Sequence, residues 1–222
     1  MIKNKIEIIA HRGFWLGKFE KNSLKAFNLA LKKGFGIETD LRDLDGKLVI
    51  SHDPPTKTEE IIEFKDFLKI YREKNKNLTL AINIKSDGIA KNIYDICLSE
   101  EICNFFIFDM SIPDLIYSYQ LGCKNLFLRL SEYENPSFIP IEAEGLWVDF
   151  FKGKLSKDIK LLENLNKYSK IAFVSPELHG HSVQLVEEFW LVLDSFAKSK
   201  FKDKRFFLCT DYPQQAFAFF NQ

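Results

Sequence analysis

The absence of a net charge limits the partners that this sequence can have. The chain carries no net charge, since 31 Lys and Arg residues balance 31 Asp and Glu residues. A neutral chain has no global field to attract nucleic acid or an acidic membrane, so any recognition of phosphate has to be local. We therefore predict neither a nucleic-acid partner nor a stable association with membranes.

Cysteines and long apolar runs are scarce as well. The four cysteines form no Cys-x-x-Cys pair, which argues against a disulfide framework and favours reduced, buried thiols. No apolar run approaches the length of a membrane span, and residues 1–10 carry charges where a signal peptide needs apolar side chains. These features predict a cytoplasmic protein and leave its oligomeric state open.

The residues that are present suit one large core. Of the 222 residues, 46% are hydrophobic and 28% are charged, which is the balance of an ordinary globular protein. Because no Pro- or Gly-rich linker, low-complexity tract or internal repeat interrupts the chain, we predict a single domain over residues 1–222.

Short apolar runs alternate with amphipathic segments along the chain. Helical periodicity marks Ser23–Lys33, Leu161–Lys167 and Val183–Lys198. Strands that alternate with helices imply a parallel sheet, and eight strands at this length favour a closed (β/α)₈ barrel of the α/β class over an open doubly wound sheet. The predicted strands are Ile6–Ala10, Gly36–Asp40, Leu78–Ile84, Phe105–Asp109, Leu126–Leu130, Gly145–Val148, Ile171–Ser175 and Phe206–Thr210, with an extra hairpin run at Lys47–Ser51.

Polar side chains stand at the ends of nearly all these strands, where parallel barrels carry their active sites. Glu38 and Asp40 are two residues apart, so both face the same side of one strand, and their repulsion favours a bridging cation. The other strand-end candidates are His11, Arg12, His52, Asn83, Lys85, Asp109, Arg129, Asp149, Glu177, His179, His181 and Asp211.

Several of these residues fall in short motifs at compatible spacing. The motifs are His11-Arg12-Gly13, Asn22-Ser23 with Ala26-Phe27, Gly34, Ile37-Glu38-Thr39-Asp40-Leu41 and the segment 45–53. Together they resemble the glycerophosphodiester phosphodiesterases, a family of (β/α)₈ barrels that hydrolyse phosphodiesters with a divalent cation. Lys85 and the ending Thr210-Asp211-Tyr212-Pro213 agree with later motifs of that family.

The resemblance implies a role for each matching residue. The implied groups are an acid/base pair, His11 and His52; phosphate clamps, Arg12 and Lys85; and metal ligands, Glu38 and Asp40. The implied cofactor is a divalent metal, Mg²⁺ or Ca²⁺, and the implied partner is a small soluble phosphodiester substrate. Asn83 and Asp109 complete the set of candidate metal ligands.

Three departures from the family pattern affect these expectations. Asn83 stands where the family usually has Glu, so the site loses one negative charge, although an amide oxygen still suits Mg²⁺ or Ca²⁺. In Glu20-Lys21-Asn22-Ser23 the Glu is displaced and Lys21 takes its place. Only residues 54–77 separate Asp53 from the third predicted strand, so we expect a reduced insertion after the second strand and a more open pocket.

Outside the family motifs, later strand ends carry residues that we predict to line the pocket. Arg129, Glu132 and Glu177 are the candidates for binding the substrate and its phosphate. Purely structural interpretations stay open. Ser131 and Glu134 match a helix capping box, and His179 and His181 can be ordinary surface residues.

Three other functions compete with hydrolysis of a small diester. A lipid phosphodiesterase of the phospholipase C or D type would use an exposed apolar rim, for which Phe14-Trp15, Phe150-Phe151 and Trp190 are available. A non-catalytic barrel that binds a phosphate ligand is suggested by Asn83 alone. A sugar isomerase or aldolase leaves the His11-Arg12 pair unexplained. The alcohol groups of the diester, and which histidine is the acid, cannot be read from the sequence.

Overall fold

The computed structural model describes residues 6–56, 61–155, 164, 166–199 and 203–221. They form two compact units, which we call the first unit (Ala10–Leu126) and the second unit (Met1–Ile9 with Phe127–Gln222). Strand β1, Ile6–His11, contributes its last two residues to the first unit. No helix in the described part of the chain combines the length and the apolar composition that crossing a membrane requires.

In the first unit, helices and strands alternate after β1 except where three strands follow one another. The elements are α1 Leu24–Lys33, β2 Gly36–Leu44, β3 Lys47–Ile50, β4 Ile62–Glu63, α2 Phe64–Asn75, β5 Leu80–Ile84, α3 Ala90–Ser99, β6 Phe105–Phe108 and α4 Ile112–Gln120. Strand β2 pairs in parallel with β5, and β5 with β6, while β2 and β3 form the antiparallel hairpin that the Asp45-Gly46 turn predicts. The short β4 extends that hairpin.

The second unit holds the remaining strands. Its elements are β7 Phe127–Leu130, β8 Gly145–Val148, β9 Lys170–Val174, α5 Val183–Lys198, β10 Arg205–Thr210 and α6 Pro213–Phe220. The order of strands is β1-β10-β9-β8-β7, and the pairs β7–β8, β8–β9 and β9–β10 are parallel. Because parallel strands align their carboxyl ends, the loops after β7, β8, β9 and β10 lie along one edge of this sheet.

Local sequence signals explain how helix α1 is placed. The Ser23 hydroxyl accepts a hydrogen bond from the amide N–H of Ala26 at the start of the helix, and Gly34 ends it in the left-handed region at φ 80°. Phe27 is fully buried on the inner face of α1, and its ring centroid lies 4.6 Å from that of Phe67 on α2. Helix α1 is thereby fixed at both ends and along one face.

The predicted elements agree with the structure apart from some boundaries. The third predicted strand begins at Leu80 rather than Leu78, because Leu78 sits in a turn, with its N–H bonded to the Asn75 carbonyl and its own carbonyl accepting from the Tyr71 hydroxyl. The fourth stops at Phe108, because Asp109 adopts a positive φ of 76° that leaves the strand. Most of the predicted helix Leu161–Lys167 lies outside the described residues.

Other predictions were incomplete. Helices α2, α3, α4 and α6 have no counterpart among the helices predicted from the sequence.

The four cysteines are free, as predicted, and three are buried, but Cys103 is exposed. Burial raises the pKa of the Cys123 thiol to about 11, so this thiol stays protonated near neutral pH.

Candidate active site

A cluster of charged side chains forms at the carboxyl ends of the strands of the first unit. Glu38 and Asp40 lie on the same face of β2, as the two-residue period predicts, and both carboxylates are essentially inaccessible to solvent. Asn83 on β5 is the register partner of Asp40, so the amide stands beside the two carboxylates on the neighbouring strand. Three oxygen-bearing side chains are therefore brought together by the pairing of β2 with β5.

Two cations neutralise part of this acidic pair. The Arg12 Nε atom lies 2.8 Å from Asp40 Oδ2, and the Lys85 Nζ atom lies 3.5 Å from Asp40 Oδ1 and 3.6 Å from Asp109 Oδ2. The backbone places Lys85, because its N–H donates to the Leu41 carbonyl at 2.9 Å where β5 runs beside β2. Charges this deeply buried persist only when they are paired.

Glu38 has an unusual environment. Its Oε2 atom accepts a hydrogen bond from the Arg12 backbone N–H at 3.1 Å and lies 3.9 Å from His11 Nε2. Burial and the neighbouring Asp40 charge raise the pKa of Glu38, while His11, Arg12 and Lys85 oppose that rise. An ionised Glu38 thus costs free energy here unless positive charge approaches it.

Asn22, which belongs to one of the family-like motifs but was not among the predicted site residues, contacts Asp40 directly. Its Nδ2 donates to Asp40 Oδ2 at 2.9 Å, and its Oδ1 accepts from the Thr39 hydroxyl at 3.0 Å. Its backbone N–H also donates to the Arg12 carbonyl at 2.9 Å. The sequence signal for this contact was an Asn directly before the N-cap Ser23. The chain at Asn22 turns back toward the end of β1, which brings its side chain near β2.

Backbone strain concentrates around the same side chains. Arg12, Asn22 and Asp109 all have positive φ, at 56°, 58° and 76°, although none is glycine. Such conformations cost about 1–3 kcal/mol each and persist where surrounding contacts enforce them. The His-Arg-Gly motif requires glycine at position 13, because a Cβ there would lie 2.8 Å from Ala26 of helix α1.

His52 is linked to the acidic strand β2 through the backbone, and within the described residues its side chain makes no hydrogen bond or ion pair with Glu38 or Asp40. Ser51 donates its N–H to the Asp40 carbonyl at 3.1 Å, and Arg42 Nε donates to the His52 carbonyl at 3.0 Å. The half-exposed imidazole itself contacts Asp53 Oδ1 at 2.9 Å through Nδ1. The acid/base role of His52 stays a prediction.

The departure from the family pattern at Glu20 and Lys21 is accommodated by local contacts. Glu20 accepts from the Leu16 backbone N–H and pairs with Lys25, and the Lys21 ammonium lies 4.6 Å from the centroid of the Trp15 ring. The Trp15 indole N–H donates to the His11 carbonyl at 3.2 Å. The loop between β1 and α1 is thus tied to the end of β1 without a family-type Glu.

The donor set can be tested against a divalent cation. Within the described ranges, no three His, Cys, Asp or Glu side chains come together as metal ligands. Asn83 stands beside the two carboxylates instead. Its Oδ1 is buried without a hydrogen bond, as is Oδ1 of Asp40. Two carboxylates and an orphaned amide oxygen suit a hard cation such as Mg²⁺ or Ca²⁺, so the residues present fit this group.

The predicted pocket residues of the second unit make protein contacts. Arg129 Nε pairs with Glu134 Oε2 at 3.1 Å, and the Glu132 carboxylate accepts from two backbone N–H groups. Glu177 accepts from the Thr210 hydroxyl and from the backbone N–H of Asp211, and burial raises its pKa. Their role in binding substrate remains a prediction.

The capping-box interpretation of Ser131 and Glu134 is confirmed for the Ser131 hydroxyl, which accepts from the Glu134 N–H, but no helix begins there. Described residues 131–135 form no helix, and the Ser131 hydroxyl accepts from the N–H groups of Tyr133 and Glu134 in a local turn. His179 was a strand-end candidate without an assigned role, and its Nε2 lies 2.6 Å from Asp149 Oδ1. Nothing local in the sequence links these two residues, which are thirty positions apart.

Comparisons with solved structures identify the fold of the chain. No protein-family model and no curated protein match the chain. Among solved structures, a glycerophosphodiester phosphodiesterase from Agrobacterium tumefaciens superposes with a TM-score of 0.70 at 14% identity, over 96% of this chain and 99% of that one. The enzyme from Thermotoga maritima gives 0.56 at 20% identity, over 97% and 90% of the two chains.

A third structure is a phosphodiesterase from Oleispira antarctica in complex with the product sn-glycerol-3-phosphate. It superposes with a TM-score of 0.64 at 14% identity, over 97% of each chain. The chain therefore has the (β/α)₈ barrel fold of the glycerophosphodiester phosphodiesterases, as the motifs predicted. At these identities the likeness establishes the fold, and the chemistry has to be argued from the side chains.

Proposed function

We propose that the chain is a metal-dependent phosphodiesterase that hydrolyses a small, soluble, glycerophosphodiester-like substrate. One observation carries this proposal. The first unit gathers an imidazole, two cations and two buried carboxylates, His11, Arg12, Lys85, Glu38 and Asp40, in one connected cluster. A phosphodiester anion needs charge neutralisation together with a proton acceptor and a proton donor, and this cluster offers those groups.

The side chains have distinct parts in the proposed reaction. The planar guanidinium of Arg12 and the ammonium of Lys85 bind nonbridging oxygens of the phosphate. His11 and His52 exchange protons with the attacking hydroxyl and with the leaving alkoxide, since imidazoles titrate near neutral pH. If the diester carries a neighbouring hydroxyl, that group attacks first to give a cyclic phosphate, and water then opens the ring with the proton roles reversed.

A divalent cation held by Glu38, Asp40 and Asn83 would polarise the phosphate and neutralise its charge. Positive charge beside Glu38 also favours the ionised form of this carboxyl, whose pKa is raised in the folded chain. Asn83 supplies a neutral oxygen in place of a third charge, so we expect weaker binding of metal than a three-carboxylate site would give.

The decisive experiment measures hydrolysis of a panel of soluble phosphodiesters after chelation and after return of Mg²⁺ or Ca²⁺. We expect loss of activity with chelator and recovery with at least one metal. In parallel, calorimetry should show tighter binding of metal by Asn83→Glu than by the natural chain. Rates that are insensitive to the chelator would remove the metal from the proposal, and metal binding without turnover of any diester would select a binding protein instead.

One observation favours a lipid phosphodiesterase as the second candidate. In the loop that follows His11-Arg12, Leu16 is 75% exposed and Phe19 is fully exposed, so they offer an apolar rim in the same unit as the charged cluster. Leu16→Ser with Phe19→Ser should then lower activity on lipid micelles but not on soluble diesters. Phe138→Ser, which removes a similarly exposed ring elsewhere, is the matched control.

A further inference from the structure

The second unit contains an imidazole–carboxylate pair that the proposed hydrolysis does not use. Asp149 directly follows β8, and His179 ends the 3₁₀ turn Pro176–His179 after β9. Their 2.6 Å contact between Nε2 and Oδ1 fixes the orientation of the ring. Neither the second ring nitrogen of His179 nor Oδ2 of Asp149 makes another hydrogen bond within the described residues.

The loop that carries Asp149 is held from two sides. The Glu132 carboxylate accepts from the N–H groups of Phe151 at 3.0 Å and Lys152 at 2.9 Å, and the imidazole of His181 donates through Nε2 to the Phe151 carbonyl at 2.8 Å. Gly153 completes the fit, since a Cβ there would lie 2.7 Å from the His181 ring. Contacts from the ends of β7 and β9 thus preorganise the segment between Asp149 and Gly153.

An aromatic surface borders the pair. The Phe151 ring centroid lies 4.8 Å from that of His179 and 5.7 Å from that of Tyr133. Tyr133 is 77% exposed and Phe151 is 37% exposed, so part of each residue is accessible to a ligand. The electron-rich face of an aromatic ring attracts groups with partial positive charge. The C–H groups of a sugar or polyol carry such a charge, so they pack well against these rings.

The charges at this place select against ionic ligands. An anion would approach the carboxylates of Asp149 and Glu132, while a cation would compete with His179 for Asp149. A neutral hydroxyl can donate to the remaining Asp149 oxygen and bond to the remaining ring nitrogen of His179 without either penalty. Ligand sites of (β/α)₈ barrels also lie at the carboxyl ends of the strands, and this pair follows two of those ends.

From these contacts we propose that His179, Asp149, Phe151 and Tyr133 form a binding site for a neutral polyhydroxylated ligand, a polyol or a sugar ring. Asp149 orients the imidazole, the two polar groups bind ligand hydroxyls, and the aromatic rings pack against its carbon skeleton. The proposal rests on the second unit alone and does not depend on hydrolysis of a diester by the first.

The test is NMR of the imidazole signals in full-length protein labelled with ¹⁵N-histidine. The signal lost in His179→Gln assigns the residue, and the probes are myo-inositol, glucose, choline chloride and inorganic phosphate. We expect a saturable shift of the His179 signal with myo-inositol or glucose and none with the two ions. Asp149→Asn should abolish the response, and Tyr133→Ala should weaken binding about three- to ten-fold, the size of one aromatic contact.

A matched control and the stability of the variants separate binding from a purely structural pair. Tyr117→Ala removes a 58% exposed tyrosine from α4 in the first unit and should leave the polyol response unchanged. The proposal is overturned if no polyol shifts the signal, even when Asp149→Asn lowers the melting temperature. It is equally overturned if only choline or phosphate produces a shift, or if Tyr117→Ala weakens the response as much as Tyr133→Ala.

Discussion

Each unit of this chain carries an imidazole beside a carboxylate, but the two pairs differ in their surroundings. In the first unit, His11 lies 3.9 Å from Glu38 within a cluster that also holds Asp40 and two cations. In the second unit, His179 contacts Asp149 at 2.6 Å, and aromatic rings lie beside it. Concentrated charge of both signs suits an anionic, reacting phosphate, whereas an isolated pair with an aromatic border suits neutral hydroxyls.

The largest expected effect comes from His11→Ala, which removes the first unit's imidazole. Loss of a general acid or base lowers the rate about 10²- to 10⁴-fold, so kcat on a soluble diester should fall in that range. The measurement is steady-state kinetics, together with a melting curve that should resemble that of the natural chain. Full turnover by this variant would remove His11 from the proposed mechanism.

A second comparison sets Asp40→Asn against Asp149→Asn, the same chemical change in each unit. Removing the Asp40 charge leaves Arg12 and Lys85 without this carboxylate. Breaking a buried pair costs about 3–5 kcal/mol of folding free energy. The partial exposure of the two cations lowers that cost, because solvent screens their charges. The Asp149 change weakens one charge-assisted hydrogen bond and should cost about 1.5–3 kcal/mol. Urea titration of both variants measures the free energies of unfolding, and an Asp149 loss as large as that of Asp40 would contradict the contrast.

Asn22→Ala tests whether the loop before α1 positions Asp40. A residue that orients a ligand or catalytic group typically contributes about 10- to 100-fold to metal affinity or activity, so we expect a fall of that size in kcat/KM. The matched control is Asn104→Ala, which removes two side-chain hydrogen bonds, to the Asn77 carbonyl and the Thr79 hydroxyl, at a structural position of the same unit. Equal loss of activity in the two variants would indicate that Asn22 acts only through stability.

The smallest expected effect is a change in how stability depends on pH. The pKa of Glu38 is raised in the folded chain, so between the unfolded and folded pKa values the native state binds more protons, and stability falls as pH rises. The effect of Glu63 on stability has the opposite sign. Hydrogen bonds to Lys47 and Lys65 lower the pKa of Glu63 to about 2, so its small contribution to stability is lost as pH falls.

The measurement is a series of unfolding curves between pH 4 and pH 8, without added metal, for Glu38→Gln and Glu63→Gln. Glu38→Gln should flatten the decline above the ordinary pKa of Glu, by at most about 1.4 kcal/mol per pH unit. Glu63→Gln should alter only the acid side, where its effect is screened by solvent. A decline above pH 5 that persists unchanged in Glu38→Gln would show that Glu38 is not its source.

Prediction from sequence succeeded where a local rule was sufficient. The two-residue period placed Glu38 and Asp40 on one face of β2, and Ser23 with Gly34 marked the ends of α1. Asp45-Gly46 identified the hairpin between β2 and β3. Each of these signals operates within a few residues, so no knowledge of distant partners was needed.

Prediction failed where distant residues decide the outcome. Four helices were not identified, because their apolar periodicity competes with nearby strand-like runs until tertiary packing selects the helix. The hydrogen bonds of Asn22 to Asp40 and of Glu132 to the loop after β8 join residues 18 to 20 positions apart. No single-residue propensity encodes such partners.

The sequence by itself determined the alternation of strands and helices, the acidic face of β2 and the histidine-bearing ends of β1 and β3. Only the tertiary structure decided that Arg12 and Lys85 share the Asp40 carboxylate and that His179 meets Asp149. Secondary structure follows the period of neighbouring side chains, whereas an ion pair depends on which strand ends the folded sheets bring within a few ångströms.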